Sequence, residues 1–214
     1  MPHVLIGGAA RCGKSTLALE IRKSMDIQTL SGDAFRTSLR KTSPYGTFPA
    51  LHVARAEKIR DEAAFIEHHS VNAGMEIEAK RQQATFVWPF IENYLRAVEH
   101  ESGSSVLVES IDVWPDLIAA SGLHHRAAFL VNTSPDQADR IISSRGRDPY
   151  DWMHQNEYSD GRIVAWSEFN MRRSEMIRDM AEKAGYLCLD LAEVSFSDSQ
   201  VVARDYLLEG QTIS

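Results

Sequence analysis

The chain has 214 residues and a mass of 24.0 kDa, one domain's worth of sequence with room for a modest insertion. Hydrophobic residues make up 43% and charged residues 25%, close to globular averages, which excludes intrinsic disorder and collagen-like repeats. Lys and Arg number 23 against 30 Asp and Glu, a formal net charge of -7, the wrong balance for sequence-independent nucleic-acid binding and compatible at most with a local basic groove for one small anion.

In chain order, Met1 to Gly8 has no basic leader region and too short an apolar run for a signal peptide. No stretch approaches the ~20 apolar residues of a membrane span, so the expected setting is cytoplasmic, with neither membrane nor nucleic acid as partner. Val4-Leu5-Ile6 is a short, continuously apolar run, the mark of a strand buried on both faces of a parallel sheet. After the glycines, Leu17, Ala18, Ile21 and Met25 recur at helical spacing, and Ile27 to Leu30 reads as a second strand ending at Ser31-Gly32-Asp33. Further strands are expected at Val106-Leu107-Val108, closed by Glu109, at Ala128 to Val131, and at Tyr186 to Leu189, closed by Asp190. Helical patterns separate them at roughly 116–121, 135–144, 162–184 and 198–209.

Strands alternating with helices predict a three-layer α/β/α fold on a five-stranded parallel sheet, as a single domain over 1–214. Residues 42–101 hold no convincing strand. Ser43-Pro44-Tyr45-Gly46 is turn chemistry, followed by helical stretches near 50–69 and 86–100 with a break at Asn72-Ala73-Gly74. This segment is read as a helical insertion over the ligand edge of the sheet. The two cysteines, Cys12 and Cys188, cannot build a disulfide framework, and the adjacent pairs His68-His69 and His124-His125 lack metal-ligand spacing.

The strong motif is Gly8-Ala9-Ala10-Arg11-Cys12-Gly13-Lys14-Ser15, which fits G-x-x-x-x-G-K-[ST] between a strand and a helix. Glycines let backbone amides turn inward around an anion, and the helix N-terminus adds its positive dipole end. Gly8 to Thr16 would therefore cradle a triphosphate. Lys14 would reach its β- and γ-phosphates, and the Ser15 hydroxyl would ligate Mg²⁺. Cys12 lies at the start of the following helix, where a thiol is expected to ionise more readily and be open to oxidation.

Two carboxylates sit at strand ends, where open α/β sheets bind ligands: Asp33 after the second strand and Glu109 after the third. One would act as base on an acceptor hydroxyl and the other would stand on the metal side, and either order is open. Arg36, three residues after Asp33, would share its helix face and grip an anionic acceptor; Asp33 also suits a helix N-cap. Arg140, Arg145 and Arg147 close a helix and enter a charged loop punctuated by Gly146 and Pro149. Residues 145–160 are expected to form a lid, with Arg145 and Arg147 stabilising transition-state charge and Arg140 on the nucleotide. The insertion adds His52, Arg55, Lys58, Arg60, Lys80 and Arg81, and the aromatic residues Phe86, Trp88 and Phe90, which with Trp114 would line an acceptor pocket or pack in the core.

These stations together resemble the small-molecule kinases of the P-loop superfamily, built like adenylate kinase, and the resemblance covers most of the chain outside the insertion. The Asp after strand two is similar to the base of chloramphenicol phosphotransferases and zeta-toxin kinases. Val108 to Pro115 resembles the post-strand motif of 2-phosphoglycerate kinases, with Ser110 in place of a common Gly and Asp112 in place of an expected His. By that resemblance Glu109 and Asp112 join Asp33 and Arg36 on the acceptor side. The resemblance implies an ATP- and Mg²⁺-dependent phosphotransferase acting on a hydroxyl or phosphate of a small metabolite or antibiotic. A nucleoside or nucleotide kinase, an ATPase and a nucleotide-gated regulatory module are the alternatives.

Overall fold

Apolar residues alternate between two faces in each central strand, and that alternation builds the layers. In the computed structural model, which describes residues 1–44, 48–52, 59–145, 147 and 151–209, strand β1 (His3–Gly8) sends Leu5 to one core and Val4 and Ile6 to the other. Strand β3 (Val106–Glu109) divides in the same way, Val106 and Val108 against Leu107. Strand β4 (His125–Val131) does so with Ala127, Phe129 and Val131 against Ala128 and Leu130. Strands buried on both faces need helices on both sides, the condition under which parallel sheets occur. With β2 (Gln28–Ser31) and β5 (Leu187–Asp190) the sheet is five-stranded, all parallel, in the order β2-β3-β1-β4-β5.

Helices α1 (Lys14–Ser24) and α9 (Phe196–Leu208) cover one face through Leu17, Ile21, Ala203 and Leu207. The other face is covered by α4 (Ala73–Ser102), α5 (Pro115–Ala120) and α8 (Asp160–Ala184), through Trp88, Ile91, Leu95, Ile118, Phe169 and Ile177. Trp88 and Trp114 are core residues, 3% and 0% exposed, not walls of a pocket. No helix among the described residues is long and apolar enough to cross a membrane.

The remaining elements lie over the carboxyl edge: α2 (Gly32–Thr42), a 3-10 turn (Pro49–His52), α3 (Glu62–Ser70), α6 (Gln137–Ser143) and α7 (Trp152–Gln155). The expected break falls at Val71-Asn72, and α4 then runs without interruption to Ser102, longer than the expected 86–100. Pro89 inside it lacks an N–H, and it lies on the solvent face, where the carbonyl it leaves unpaired is within reach of water. A third apolar cluster, Phe65, Ile141, Met153, Tyr158, Ile163 and Trp166, ties α3 to the N-terminal half of α8. Tyr45, Gly46, Arg55, Lys58, Gly146 and Pro149 lie outside the described residues.

Register places the site. Ile6, Glu109 and Ser31 are level across the sheet, so the chain leaves β1, β3 and β2 at one rim and the segments that follow converge there.

Candidate active site

The turn out of β1 depends on two glycines. Gly8 has φ 121°, and a Cβ on it would overlap the carbonyl oxygen of Leu130 in the neighbouring strand. Gly13 has φ 85° and forms the N-cap of α1, with no side chain capping the helix. Arg11 between them holds φ 61° without being glycine, a strain typical of functional loops. The α1 amides thus start uncapped behind a tight loop, the arrangement that receives an anion.

Lys14 follows the turn. Its side chain is buried, and Nζ donates to the Ala9 carbonyl at 2.6 Å. Burial pulls its pKa down, while nearby Asp33 and Glu109 act in the opposite sense. The Ser15 hydroxyl donates to Glu109 Oε2 at 3.1 Å, so the hydroxyl and carboxylate expected on the metal side are brought together. Two hard oxygen donors beside a phosphate loop suit Mg²⁺, which takes its other positions from water and phosphate. Arg11 Nη1 is paired with Asp151 at 2.6 Å, which joins the loop to the start of α7.

Cys12 departs from expectation. Its thiol is 1% exposed, burial pushes its pKa up to about 11, and it contacts the Ala10 carbonyl at 3.5 Å. The dipole of α1 acts on groups in front of the helix, whereas this thiol is folded into the core beneath the loop.

Asp33 is not the cap of α2. Ser31 takes that place, its Oγ accepting from the Ala34 amide at 3.4 Å. The Asp33 carboxylate accepts instead from Ser110 Oγ at 3.2 Å and the Ile111 amide at 3.4 Å, both on the segment leaving β3. Arg36 lies 3.3 Å from Asp33 Oδ1 and 2.5 Å from Asp112 Oδ2. The expected grip on an acceptor is therefore directed inward: Arg36 is 8% exposed and Asp112 2%. Burial raises the Asp112 pKa, and Arg36 works against that rise. The pair acts as a brace that holds Asp33 in place.

Asp33 stands where two cavities meet. One, of about 640 Å³, is the phosphate cleft, with walls from Ala10, Arg11, Gly13 to Thr16, Glu109, Asp151 and Phe196. The other, of about 230 Å³, is smaller and more enclosed, with walls from α3, α4, α7 and α8. Ala10, Asp33, Ile111 and Trp152 line both.

The lid arginines stand elsewhere. Arg140 pairs with Asp136 at 2.9 Å on the exposed side of α6, and Arg145 with Asp160 at 2.6 Å. Arg147 is exposed, and its amide donates to the Ser144 carbonyl. None of the three lines the cleft. In the insertion, His52 approaches the Ser43 carbonyl, the Arg60 carbonyl accepts from Arg162, Arg81 pairs with Asp116 and Phe86 packs on Phe48. Of the expected basic residues that are described, Lys80 alone reaches the smaller cavity, and Phe90 is exposed.

Sequence reasoning missed the wall that α8 supplies. Trp166, Phe169, Asn170 and Arg173 recur at i, i+3, i+4 and i+7, one helical stripe. Arg173 is 2% exposed, donates to the Ile111 carbonyl at 2.9 Å and lies over the Trp114 ring at 5.4 Å. Asn170 donates to the Ala10 carbonyl at 3.3 Å and to Gln137 at 3.0 Å. The available signal was an Asn and an Arg inside an otherwise apolar stripe, where a polar residue needs a reason.

No family model and no curated protein sequence matches the chain. Among solved structures, a candidate kinase from Chloroflexus aurantiacus is similar with a TM-score of 0.48 and 17% identity, over 98% of each chain. An uncharacterized protein from Eubacterium ventriosum is similar with a TM-score of 0.47 and 9% identity, over 98% of this chain and 99% of its own. What the protein does is therefore argued from its own site.

Proposed function

We propose that the chain is an ATP- and Mg²⁺-dependent phosphotransferase that moves the γ-phosphoryl group to a hydroxyl of a small molecule. The observation that carries this reading is the position of Asp33, a carboxylate on the wall shared by a phosphate cleft and an adjoining, less open pocket. A hydrolase needs only the first cavity; a transferase needs a second one with a base at the seam.

In this reading the amides of the 8–15 loop and the N-terminus of α1 hold the phosphates. Lys14 leaves the Ala9 carbonyl to meet the incoming β- and γ-oxygens, exchanging one acceptor for a charged one. Ser15 and Glu109 would hold Mg²⁺, which when bound would supply positive charge to offset that of the triphosphate. Asp33 accepts the proton of the acceptor hydroxyl as the hydroxyl oxygen bonds to the γ-phosphorus and the bond from that phosphorus to the β,γ-bridging oxygen breaks, its electron pair leaving with ADP. The brace of Arg36 and Asp112, with Arg173 behind it, keeps that carboxylate aimed at the seam. Arg145 and Arg147 enter as charge stabilisers when the 145–160 segment closes, at which point Arg145 gives up Asp160.

The test is ATP consumption with Mg²⁺, alone and against a panel of alcohols, nucleosides, sugars, phosphorylated three-carbon acids and aminoglycosides. The reading expects acceptor-dependent turnover that Lys14→Ala abolishes and Asp33→Asn lowers by about 10²–10⁴-fold with nucleotide binding retained. Brisk turnover without acceptor, unaffected by Asp33→Asn, would replace it with an ATPase. ATP binding with no turnover against the whole panel would replace it with a regulatory module.

A further inference from the structure

The walls of the smaller cavity fix the charge, size and shape of what can stand beside Asp33. Its charges balance: Asp33 and Glu76 face Lys80 and Arg173. His69, whose pKa burial holds down at about 4, is uncharged at neutral pH. Each charge is also engaged within the protein. Asp33 is held by Ser110, the Ile111 amide and Arg36. Glu76 Oε2 lies 3.3 Å from His68 Nε2, and Glu76 and Lys80 both have partners in the chain. Arg173 donates to the Ile111 carbonyl and lies over the Trp114 ring. An ionic ligand would have to draw one of these groups from its partner and leave a buried charge uncompensated.

Hydrogen-bonding capacity is scarce on the same wall. Asn170 directs its amide hydrogens to Ala10 and Gln137. Asn170 Oδ1 and Arg173 Nε make no hydrogen bond among the described residues, but both are sealed from solvent and so from a ligand. A ligand rich in hydroxyls would lose water there without replacing it. Rings dominate the rest of the surface. Trp152 stands edge-on to Tyr158 at 5.4 Å and to Trp166 at 5.7 Å, and His69 stands edge-on to Phe169 at 5.5 Å. A flat unsaturated ring entering among them extends this edge-to-face packing, which a saturated ring of the same size cannot do. Size sets the last limit. An apolar cavity of about 150 Å³ holds one benzene, and pockets for drug-sized ligands begin near ~300 Å³. At about 230 Å³ this cavity matches one six-membered ring with a short arm.

We infer that the cavity takes an uncharged alcohol built on a single aromatic ring, with the ring among Trp152, Trp166 and Phe169 and the hydroxyl directed at Asp33. Recognition of the ring stands on the cavity alone. The hydroxyl's role as acceptor rests on the phosphotransferase reading, in which its oxygen takes the γ-phosphoryl group, its proton passes to Asp33 and ADP leaves.

Ligand-observed NMR titration of the full chain, with and without Mg²⁺ and a non-hydrolysable ATP analogue, tests the two parts separately. The probes are 1-phenylethanol, its saturated counterpart 1-cyclohexylethanol, the cation 2-amino-1-phenylethanol, the anion mandelate, and the polyol myo-inositol. 1-Phenylethanol is expected to bind about two- to tenfold tighter than the saturated ring, the scale of one edge-to-face pair. It is expected to bind at least about tenfold tighter than either ion, with no binding of inositol at millimolar concentration. Trp166→Leu, confirmed folded by its melting transition, is expected to erase the preference for the unsaturated ring, and Trp166→Phe to keep it. Binding of the saturated ring, of either ion or of inositol as tight as that of 1-phenylethanol overturns the inference. So does no binding of 1-phenylethanol at millimolar concentration, or an undiminished preference in folded Trp166→Leu. The wild-type series decides even if Trp166→Leu does not fold. Binding of 1-phenylethanol without phosphoryl transfer to any alcohol would sink the phosphotransferase reading alone; transfer to the ions or inositol and not to 1-phenylethanol would sink the inference alone.

Discussion

Arg36 shows how far one side chain's role depends on what lies behind it. Three residues after Asp33 on a helix, it looks like an acceptor clamp by spacing. The partner that turns it inward, Asp112, comes 76 residues later in the chain, and no local pattern connects them. Because Asp112 is 2% exposed, Arg36→Met would leave a buried carboxylate without its charge partner. The expected loss is about 3–5 kcal/mol in urea unfolding, with partial recovery in Arg36→Met/Asp112→Asn, where the stranded charge is removed. A substrate clamp would instead raise KM with little change in stability. Cys12 carries the same lesson: its place in the motif was legible, but the burial of its thiol in the apolar cluster that includes Leu17 and Ile6 depends on the whole layer around it.

At the scale of elements, the motif, the strands and helices α5, α6, α8 and α9 could be read from periodicity and breakers, because each is a local pattern of apolar residues, whereas the short α7 falls in the stretch expected only as a lid. The insertion was less legible. Its α3 packs on α8 and the first part of α4 on α3 and the 3-10 turn, and only the later part of α4 reaches the sheet, through Trp88, Ile91 and Leu95, so the apolar spacing of the earlier part is diluted by residues such as Glu76 and Gln83, both buried. Of the two roles open to Asp33, the cap of α2 falls instead to Ser31, and the Asp33 carboxylate, held by Ser110, Ile111 and Arg36, lines both cavities. The segment joining α6 to α8 yields a prediction of its own. The Arg145–Asp160 pair is half-exposed, so Arg145→Ala is expected to change stability by no more than about 1 kcal/mol. If the segment closes over the phosphates, the same variant lowers kcat by about 10²–10³-fold. A stability change without a kcat change in paired melting and kinetic measurements would make the arginine a surface residue only.

Across the whole molecule, the layered architecture was legible because strands buried on both faces admit few alternatives. What the sequence could not show is which helices meet above the rim, since α3, α4 and α8 converge there only after the sheet is assembled. That convergence makes stability depend on pH. His69 is surrounded by Phe65 and His68 on α3, Glu76 and Lys80 on α4, and Phe169 and Arg162 on α8. Its folded pKa, about 4, lies below the ordinary 6.5, so the unfolded chain takes up the proton first. Its contribution is complete above pH 6.5 and is lost as pH falls toward 4, by about 2–3 kcal/mol. Urea unfolding between pH 7 and 4.5 should show that slope, and His69→Asn should remove about one proton's worth of it at some cost in overall stability. An unchanged slope in His69→Asn would assign it to other groups.

The placement of the tryptophans gives the molecule an optical readout. Of its 4 tryptophans, Trp88 and Trp114 sit in the core and line neither cavity. Trp166 lines only the smaller cavity, and Trp152 lines both. Emission is therefore a core background plus two cavity reporters, one lining the smaller cavity alone and one lining both. Nucleotide should perturb Trp152 alone, and a pocket ligand should perturb both. Trp166→Phe is expected to keep the response to nucleotide while reducing the response to the pocket ligand, whereas Trp152→Phe should silence the first. Stopped-flow fluorescence of the unlabelled protein could then time the filling of each compartment separately and reveal which partner arrives first.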